Sequence, residues 1–271
     1  MKILFFGDVV GGAGRNLLFE NVGRIAARLS ADFVVVNAEN AAHGFGLTRA
    51  LAEKFFARGV DVLTVGDHAW DQSQLRSEIG CEPRILRPEN YTVFKEGSGL
   101  GIFKAKNGRR VLVLSLLGML FMSKEGIENP FHTADKVLEK YRLGRDADAI
   151  FIDFHAEATS EKMSLAHHLD GRVTAVIGTH THIPTADARI MPGGTAYQSD
   201  AGMCGDFDTS IGMKKEVSLA RFLERDDGGR LSPGEGPGTL CGTMINVGEN
   251  GLATSVEPII FGAGLKNTHE V

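Results

Sequence analysis

Apolar residues cluster in short runs: Ile3 to Phe6, Phe33 to Val36, Val62 to Val65, Val111 to Leu116, Ala149 to Phe154 and Val173 to Ile177. Each has the length and composition of a buried strand. Between the first two, Leu18, Val22, Ile25, Ala26 and Leu29 fall on one helical face. Leu51, Ala52, Phe55 and Phe56 do the same before the third run, with Thr48 placed to cap that helix and Gly59 to end it. Such alternation predicts helices covering a central sheet, with right-handed crossovers wherever neighbouring strands are parallel.

After Val173 the pattern changes. Turn signals at Pro192-Gly193-Gly194, Asp227-Gly228-Gly229 and Glu249-Asn250-Gly251 separate strand-like runs such as Val217 to Leu223 and Thr243 to Val247. This portion should be mainly antiparallel. With a further hairpin signal at Asn107-Gly108, an α/β fold of two packed mixed β-sheets flanked by helices fits better than one doubly wound sheet. No internal repeat and no linker-like stretch is evident, so residues 1–271 read as one domain.

Composition narrows the function classes. An apolar fraction of 43% and a charged fraction of 23% support a sizeable core and exclude disorder as the default. The 34 glycines against 8 prolines point to tight turns and close backbone approaches. A net charge of −5 with no run of Lys or Arg argues against a grip on duplex nucleic acid, which needs basic clusters. Attraction of a phosphate to such an acidic chain calls for a bound cation. Lys2 precedes only Ile3 to Phe6 before Gly7 and Asp8, too short for a signal peptide, and no stretch approaches a membrane span. Cys81, Cys204 and Cys241 are scattered without Cys-x-x-Cys spacing and read as reduced thiols of a cytoplasmic protein.

The polar residues that follow the runs carry the chemistry. Asp8 follows the first, Glu39-Asn40 the second, Asp67-His68 the third, His155 the fifth, and His180 and His182 the sixth. Ligands of α/β folds collect at the carboxyl ends of strands, so these groups should meet on one rim. In an extended His180-Thr181-His182 segment both imidazoles would face one side. This mixed oxygen and nitrogen set suits Mn²⁺, Fe²⁺ or Zn²⁺ rather than Ca²⁺. It also exceeds the needs of one tetrahedral ion, so a pair of metals bridged by a carboxylate is the economical reading. Taken singly, each residue has an ordinary explanation as a turn, cap or packing group, and only their joint occurrence outweighs it. The glycine-rich stretch Gly7 to Gly14 fails as a dinucleotide loop, because the third glycine of Gly-x-Gly-x-x-Gly would fall at Leu17. Its glycines should instead let the backbone pass close to metals or substrate.

Gly7-Asp8, Glu39-Asn40, Gly66-Asp67-His68, His155 and Gly178-Thr179-His180-Thr181-His182 together resemble the motif series of the calcineurin-like metallophosphoesterases. Within that superfamily the chain is similar to the bacterial YmdB-like 2′,3′-cyclic-nucleotide phosphodiesterases. The likeness lies in Asn37-Ala38-Glu39-Asn40-Ala41-Ala42, in the decapeptide Asp153 to Lys162, and in Asp200-Ala201-Gly202-Met203-Cys204-Gly205. The resemblance implies a four-layer α/β/β/α sandwich and two divalent metal ions, Fe or Mn before Mg or Zn. Asp8, Glu39, Asn40 and His182 would surround one metal and Glu39, Asp67, His155 and His180 the other, with His68 a catalytic non-ligand beside the scissile phosphate. Two positions depart from the wider pattern: Val10 stands where a histidine is usual, and Asp67 where an asparagine is usual. The added carboxylate should hold its cation more firmly and reduce its Lewis acidity.

The implied reaction is hydrolysis of a small phosphodiester, a 2′,3′-cyclic nucleotide by resemblance, by in-line attack of a hydroxide shared between the metals. A phosphomonoesterase or protein phosphatase, and a nucleotide-binding regulator without turnover, are the alternatives. Phe45, Trp70 and Met203 are candidate substrate contacts, and the segment from Phe121 to Phe131 is a candidate lid or homo-oligomer contact.

Overall fold

The computed structural model describes residues 1–225 and 229–268. The first half builds a sheet from β1 (Lys2–Phe6), β2 (Phe33–Asn37), β3 (Val62–Thr64) and β4 (Ile85–Leu86), with α1 (Gly11–Leu29), α2 (Arg49–Phe56) and α3 (Ser73–Glu78) between them. These strands pair in parallel in sequence order. The second sheet comprises β5 (Leu100–Lys104), β6 (Arg110–Leu117), β7 (Ala149–His155), β8 (Ala175–Thr179), β9 (Arg189–Ile190) and β10 (Ala196–Gln198), with α4 (Pro130–Lys140) and α5 (Thr159–Leu169) in its crossovers. Its order is β5-β6-β7-β8-β10-β9. The chain then returns to the first sheet through β11 (Gly205–Asp206), β12 (Gly238–Val247) and β13 (Ala253–Gly262), with α6 (Lys215–Phe222) after β11. β12 lies antiparallel to β1, β11 and β13.

The period-two alternation of side chains sorts the core into layers. Leu4 and Phe6 of β1 face α1 and α2, where they join Leu18, Val22, Ile25, Val34, Val36 and Phe55. Ile3 and Phe5 point the other way, into a layer shared with Phe33, Val35, Val113, Phe151 and Ile177 from both sheets. Phe5 and Phe151 meet there across the sandwich with ring centres 5.0 Å apart. On the far side, Leu112, Leu114, Ile150, Ile152 and Phe154 pack with Val137 of α4 and Leu165 of α5. The result is the four-layer α/β/β/α arrangement, held by three apolar interlayers.

The expected turns form where the sequence signals them. Gly108 (φ 86) turns the β5–β6 hairpin, Pro192 to Gly194 join β9 to β10, and Glu249 to Gly251 join β12 to β13. Thr48 caps α2 by accepting from Leu51 N at 3.3 Å. The turn at Asp227-Gly228 lies outside the described residues. The last third is antiparallel at β9–β10 and throughout β11 to β13, although β10 pairs in parallel with β8. One element departs from expectation: Val217 to Leu223, read as strand-like, lies largely in α6. Lys215, Glu216, Leu219, Ala220 and Arg221 are strong helix formers, and the helix buries none of its residues, so no sheet neighbour overrides that preference.

Candidate metal centre

The carboxyl ends of the central strands of both sheets open on one rim. Asp8, Glu39, Asn40 and Asp67 arrive from the sheet containing β1, β2 and β3; His155, His180 and His182 arrive from β7 and β8 of the other. Ligand atoms of Glu39, Asp67, His155 and His180 lie within 4.8 Å of one another, and those of Asp8, Glu39 and His182 form a second such group. Glu39 belongs to both. His155 Nε2 is 3.1 Å from Glu39 Oε2 and 3.2 Å from Asp67 Oδ1. His180 Nδ1 lies 3.6 Å from Asp67 Oδ1.

Hydrogen bonds behind these groups set the histidine tautomers. His182 Nδ1 donates to the Ile211 carbonyl at 2.7 Å, leaving Nε2 as the electron-pair donor. His155 Nδ1 is 2.9 Å from Thr179 Oγ1, whose hydroxyl donates to Asp153 Oδ1 at 2.7 Å. Thr179 must therefore accept from His155, and Nε2 again faces the cluster. Asp153 is fully buried and also accepts from Thr64 and from Asn37, whose own Oδ1 accepts from Glu39 N. One carboxylate thus braces β2, β3, β7 and β8 beneath the rim. The glycine before Asp67 is required by space: a Cβ at Gly66 would run into Glu39 Oε2 and the His155 ring.

Three acceptor oxygens of this cluster are buried without a hydrogen-bond donor: Asp8 Oδ1, Glu39 Oε2 and Asn40 Oδ1. Glu39 Oε2 is close to His155 Nε2 but receives no aligned N–H. Buried carboxylates and amides without donors are costly, and a divalent cation is the partner that satisfies oxygen acceptors beside imidazole nitrogens. The electrostatics carry the same mark. Burial pushes Asp8 up to about 6, with His182 and His155 opposing it. Burial would also raise Asp67, but the hydrogen bond and charge of His155 hold it well below the carboxylate range. Burial would lower His155, yet Glu39 and Asp67 keep it well above the ordinary histidine value. Burial, and then His155, pulls His180 down to about 4.

His180 and His182 do converge, but not as an extended pair. Both take left-handed backbone, φ 99 and 69, a region costly for residues other than glycine at about 1–3 kcal/mol each. The turn sends one imidazole to each group instead of both to one side.

A cleft of about 350 Å³ adjoins the cluster, with Phe45, His68, Glu157, Ile211, Met213 and Leu231 on its walls. His68 Nδ1 pairs with Asp71 Oδ2 at 2.7 Å, and the Phe45 ring packs edge-on against His68 at 5.1 Å. The other proposed substrate contacts lie elsewhere. Trp70 packs edge-on against Phe94, and Met203 is buried with Val10 and Met213. Gly7 and Gly14 abut the Gly202 and Cys204 carbonyls, so they serve backbone packing rather than approach to metal or substrate. The segment between Phe121 and Phe131 reaches the rim, with Lys124 Nζ 3.5 Å from Asp67 Oδ2. Sequence reasoning missed Asp71, Lys124 and Glu157, which lies 3.2 Å from His180 Nε2. Only Asp71 had a local signal, its three-residue spacing from His68.

Known proteins share this architecture. Residues 4–259 match the family described as YmdB-like protein. The 2′,3′-cyclic-nucleotide 2′-phosphodiesterase of Bacillus subtilis (strain 168) is 41% identical over 262 residues, 96% of this chain and 97% of that one. A crystal structure of a novel phosphatase from Mycoplasma pneumoniae superposes with a TM-score of 0.89 at 35% identity, covering 97% of this chain and 93% of that one. The 5′-nucleotidase of Candida albicans SC5314, 14% identical with a TM-score of 0.57, shares the fold over 96% of this chain and 50% of its own. Motif, architecture and near full-length identity agree: this chain belongs to the YmdB-like family.

Proposed function

We propose that this phosphoric ester hydrolase is a phosphodiesterase of small substrates, 2′,3′-cyclic nucleotides first among them, that works with two divalent cations, iron or manganese. Asp8, Glu39, Asn40 and His182 would hold one, and Glu39, Asp67, His155 and His180 the other. The observation that carries this reading is the set of donorless buried oxygens on Asp8, Glu39 and Asn40 amid imidazole nitrogens. Bound there, the cations would lower the pKa of a water between them and neutralise phosphoryl oxygens.

The chain's own groups do the remainder. Asp71 accepts the His68 Nδ1 proton, so Nε2 is the atom that can hand a proton to the departing ribose oxygen. Phe45 gives the cleft an apolar wall against which a base can lie. Glu157 holds His180 Nε2, which leaves Nδ1 toward the cluster. The unpaired state of Cys81, Cys204 and Cys241 supports a cytoplasmic location, and among the described residues no helix is long and apolar enough to cross a membrane.

The test is a panel of 2′,3′- and 3′,5′-cyclic nucleotides with bis- and mono-nitrophenyl phosphate, on protein reconstituted with Mn²⁺ or Fe²⁺ and assayed for metal content. Hydrolysis of the 2′,3′-cyclic substrates and the bis ester is expected. The name of the Mycoplasma pneumoniae neighbour favours a second reading, a phosphomonoesterase, which would act on the mono ester alone. His68→Ala should lower turnover ~10²–10⁴-fold with metal content unchanged. Unchanged turnover would remove His68 from the mechanism.

A further inference from the structure

Two of the motifs that mark this chain carry, at one end, a residue that the proposed chemistry does not use: Lys162, closing the decapeptide from Asp153, and Asp200, opening the segment that runs to Gly205. Both are buried. Lys162 is 2% exposed and Asp200 0%, and Lys162 Nζ donates to Asp200 Oδ2 at 3.0 Å. A lysine this deeply enclosed is uncommon, since its ammonium gives up water for a single ion pair.

Asp200 has further partners, and they define its job. Its Oδ2 accepts from Thr181 N at 3.0 Å and from Thr181 Oγ1 at 2.8 Å, while Oδ1 accepts from Gly202 N at 2.8 Å. Thr181 is the residue between His180 and His182, the two that take left-handed backbone. Flanking backbone bonds close the same clamp: Ala201 N donates to the Gly178 carbonyl at 2.9 Å and Met203 N to the His182 carbonyl at 2.8 Å. Strained conformations persist only where the surroundings over-determine them. Here the over-determination converges on one threonine.

We infer that Lys162 and Asp200 are positioning residues, a buried ion pair that grips Thr181 by backbone and side chain and so holds His180 and His182 each toward its own metal group. Lys162 keeps Asp200 aimed, and Asp200 fixes the turn. The assignment rests on the metal reading proposed above. It adds two residues that touch neither ligand nor substrate, and it accounts for an enclosed lysine that packing alone would not select.

The experiment compares wild type, Asp200→Asn, Thr181→Val and the double variant Lys162→Met with Asp200→Leu, all as full chains. Each is measured for Mn²⁺ affinity by chelator competition, for kcat and KM on bis-nitrophenyl phosphate, and for melting temperature. Groups that orient metal ligands usually account for ~10–100-fold in affinity or activity. Asp200→Asn should weaken Mn²⁺ binding and kcat by that order, with KM within about twofold. Replacing both members of a buried pair by apolar side chains commonly restores stability. The double variant leaves no unpaired charge and should therefore melt above Asp200→Asn, although Thr181 N and Gly202 N lose their acceptor, while Mn²⁺ affinity stays low, a split that a merely structural pair would not produce. Thr181→Val leaves the ion pair intact and should bind Mn²⁺ severalfold more weakly at a near wild-type melting temperature, which keeps the test informative if Asp200→Asn fails to fold. Wild-type affinity and kcat in the double variant and in Thr181→Val would overturn the assignment alone. Wild-type protein that takes up no Mn²⁺ would overturn the metal reading and this assignment with it.

Discussion

Asp8→Asn should make the metal-free protein more stable while weakening metal binding by the group that Asp8 shares with Glu39 and His182. Asp8 is fully enclosed, its Oδ2 accepts from His180 N at 3.2 Å, and its Oδ1 has no donor. Burial lifts it from its ordinary 3.8 to about 6. A carboxyl raised in this way binds its proton more tightly in the folded chain than in the unfolded one. Its penalty is therefore absent below the unfolded value of 3.8, grows as pH rises, and is complete above about 6. That interval corresponds to about 3 kcal/mol at neutral pH. Asparagine keeps an oxygen for His180 N but adds an N–H without an acceptor, which offsets about 1 kcal/mol. A net gain of about 2 kcal/mol, or roughly 4 °C in melting temperature, is expected in a chelating buffer at pH 7.5. Near pH 4 the difference should shrink toward zero. Adding Mn²⁺ at about 100 times its Kd for the group containing Asp8 should stabilise wild type by about 2.7 kcal/mol beyond any gain of the variant and reverse the order. Thermal melts at pH 4 and 7.5, with and without Mn²⁺, measure all of this. A metal-free Asp8→Asn protein that melts below wild type at pH 7.5, or a difference that ignores pH, would refute the reasoning.

Other substitutions probe the same centre. Gly66→Ala should abolish Mn²⁺ uptake, measured by metal analysis of the folded variant, because the added methyl competes with Glu39 and His155 for one volume. Asp153→Asn leaves one oxygen where Asn37, Thr64 and Thr179 all donated, so chemical denaturation should show a loss of about 1–3 kcal/mol. Glu39→Gln should weaken both metal groups together, since Glu39 lies in each; a metal content equal to wild type would exclude it as the bridge.

The elements legible in the sequence were those with strong local signals. Apolar runs such as Phe33 to Val36 and Ala149 to Phe154 have nowhere to go but a covered sheet, and the residues after them inherit a common rim. The two-residue strands β4, β9 and β11 have no such signal, because pairing partners set them rather than composition. α6 shows the converse, a run of mixed propensity settled by the absence of a neighbour. At the site, the ligand-type residues could be read from strand ends, and their supports could not. Lys124 approaches Asp67 from 57 positions along the chain, and Glu157 meets His180 across the rim. The turn at His180-Thr181-His182 was likewise invisible, since left-handed backbone at histidine is imposed by Asp200 and not by the residues themselves.

The division of the cluster between the two sheets has a mechanical consequence. Every carboxylate and amide of the set is carried by one slab of the sandwich and every imidazole by the other, with apolar contacts and the hydrogen bonds of Asp153 to Asn37 and Thr64 filling the space between slabs below them. A cation held in common would act as a rivet at the open edge, and sliding of one slab against the other would stretch all of its bonds at once. Occupancy should thus be felt far from the rim, as slower hydrogen exchange in the strands β1, β2, β3, β7 and β8 that carry the rivet.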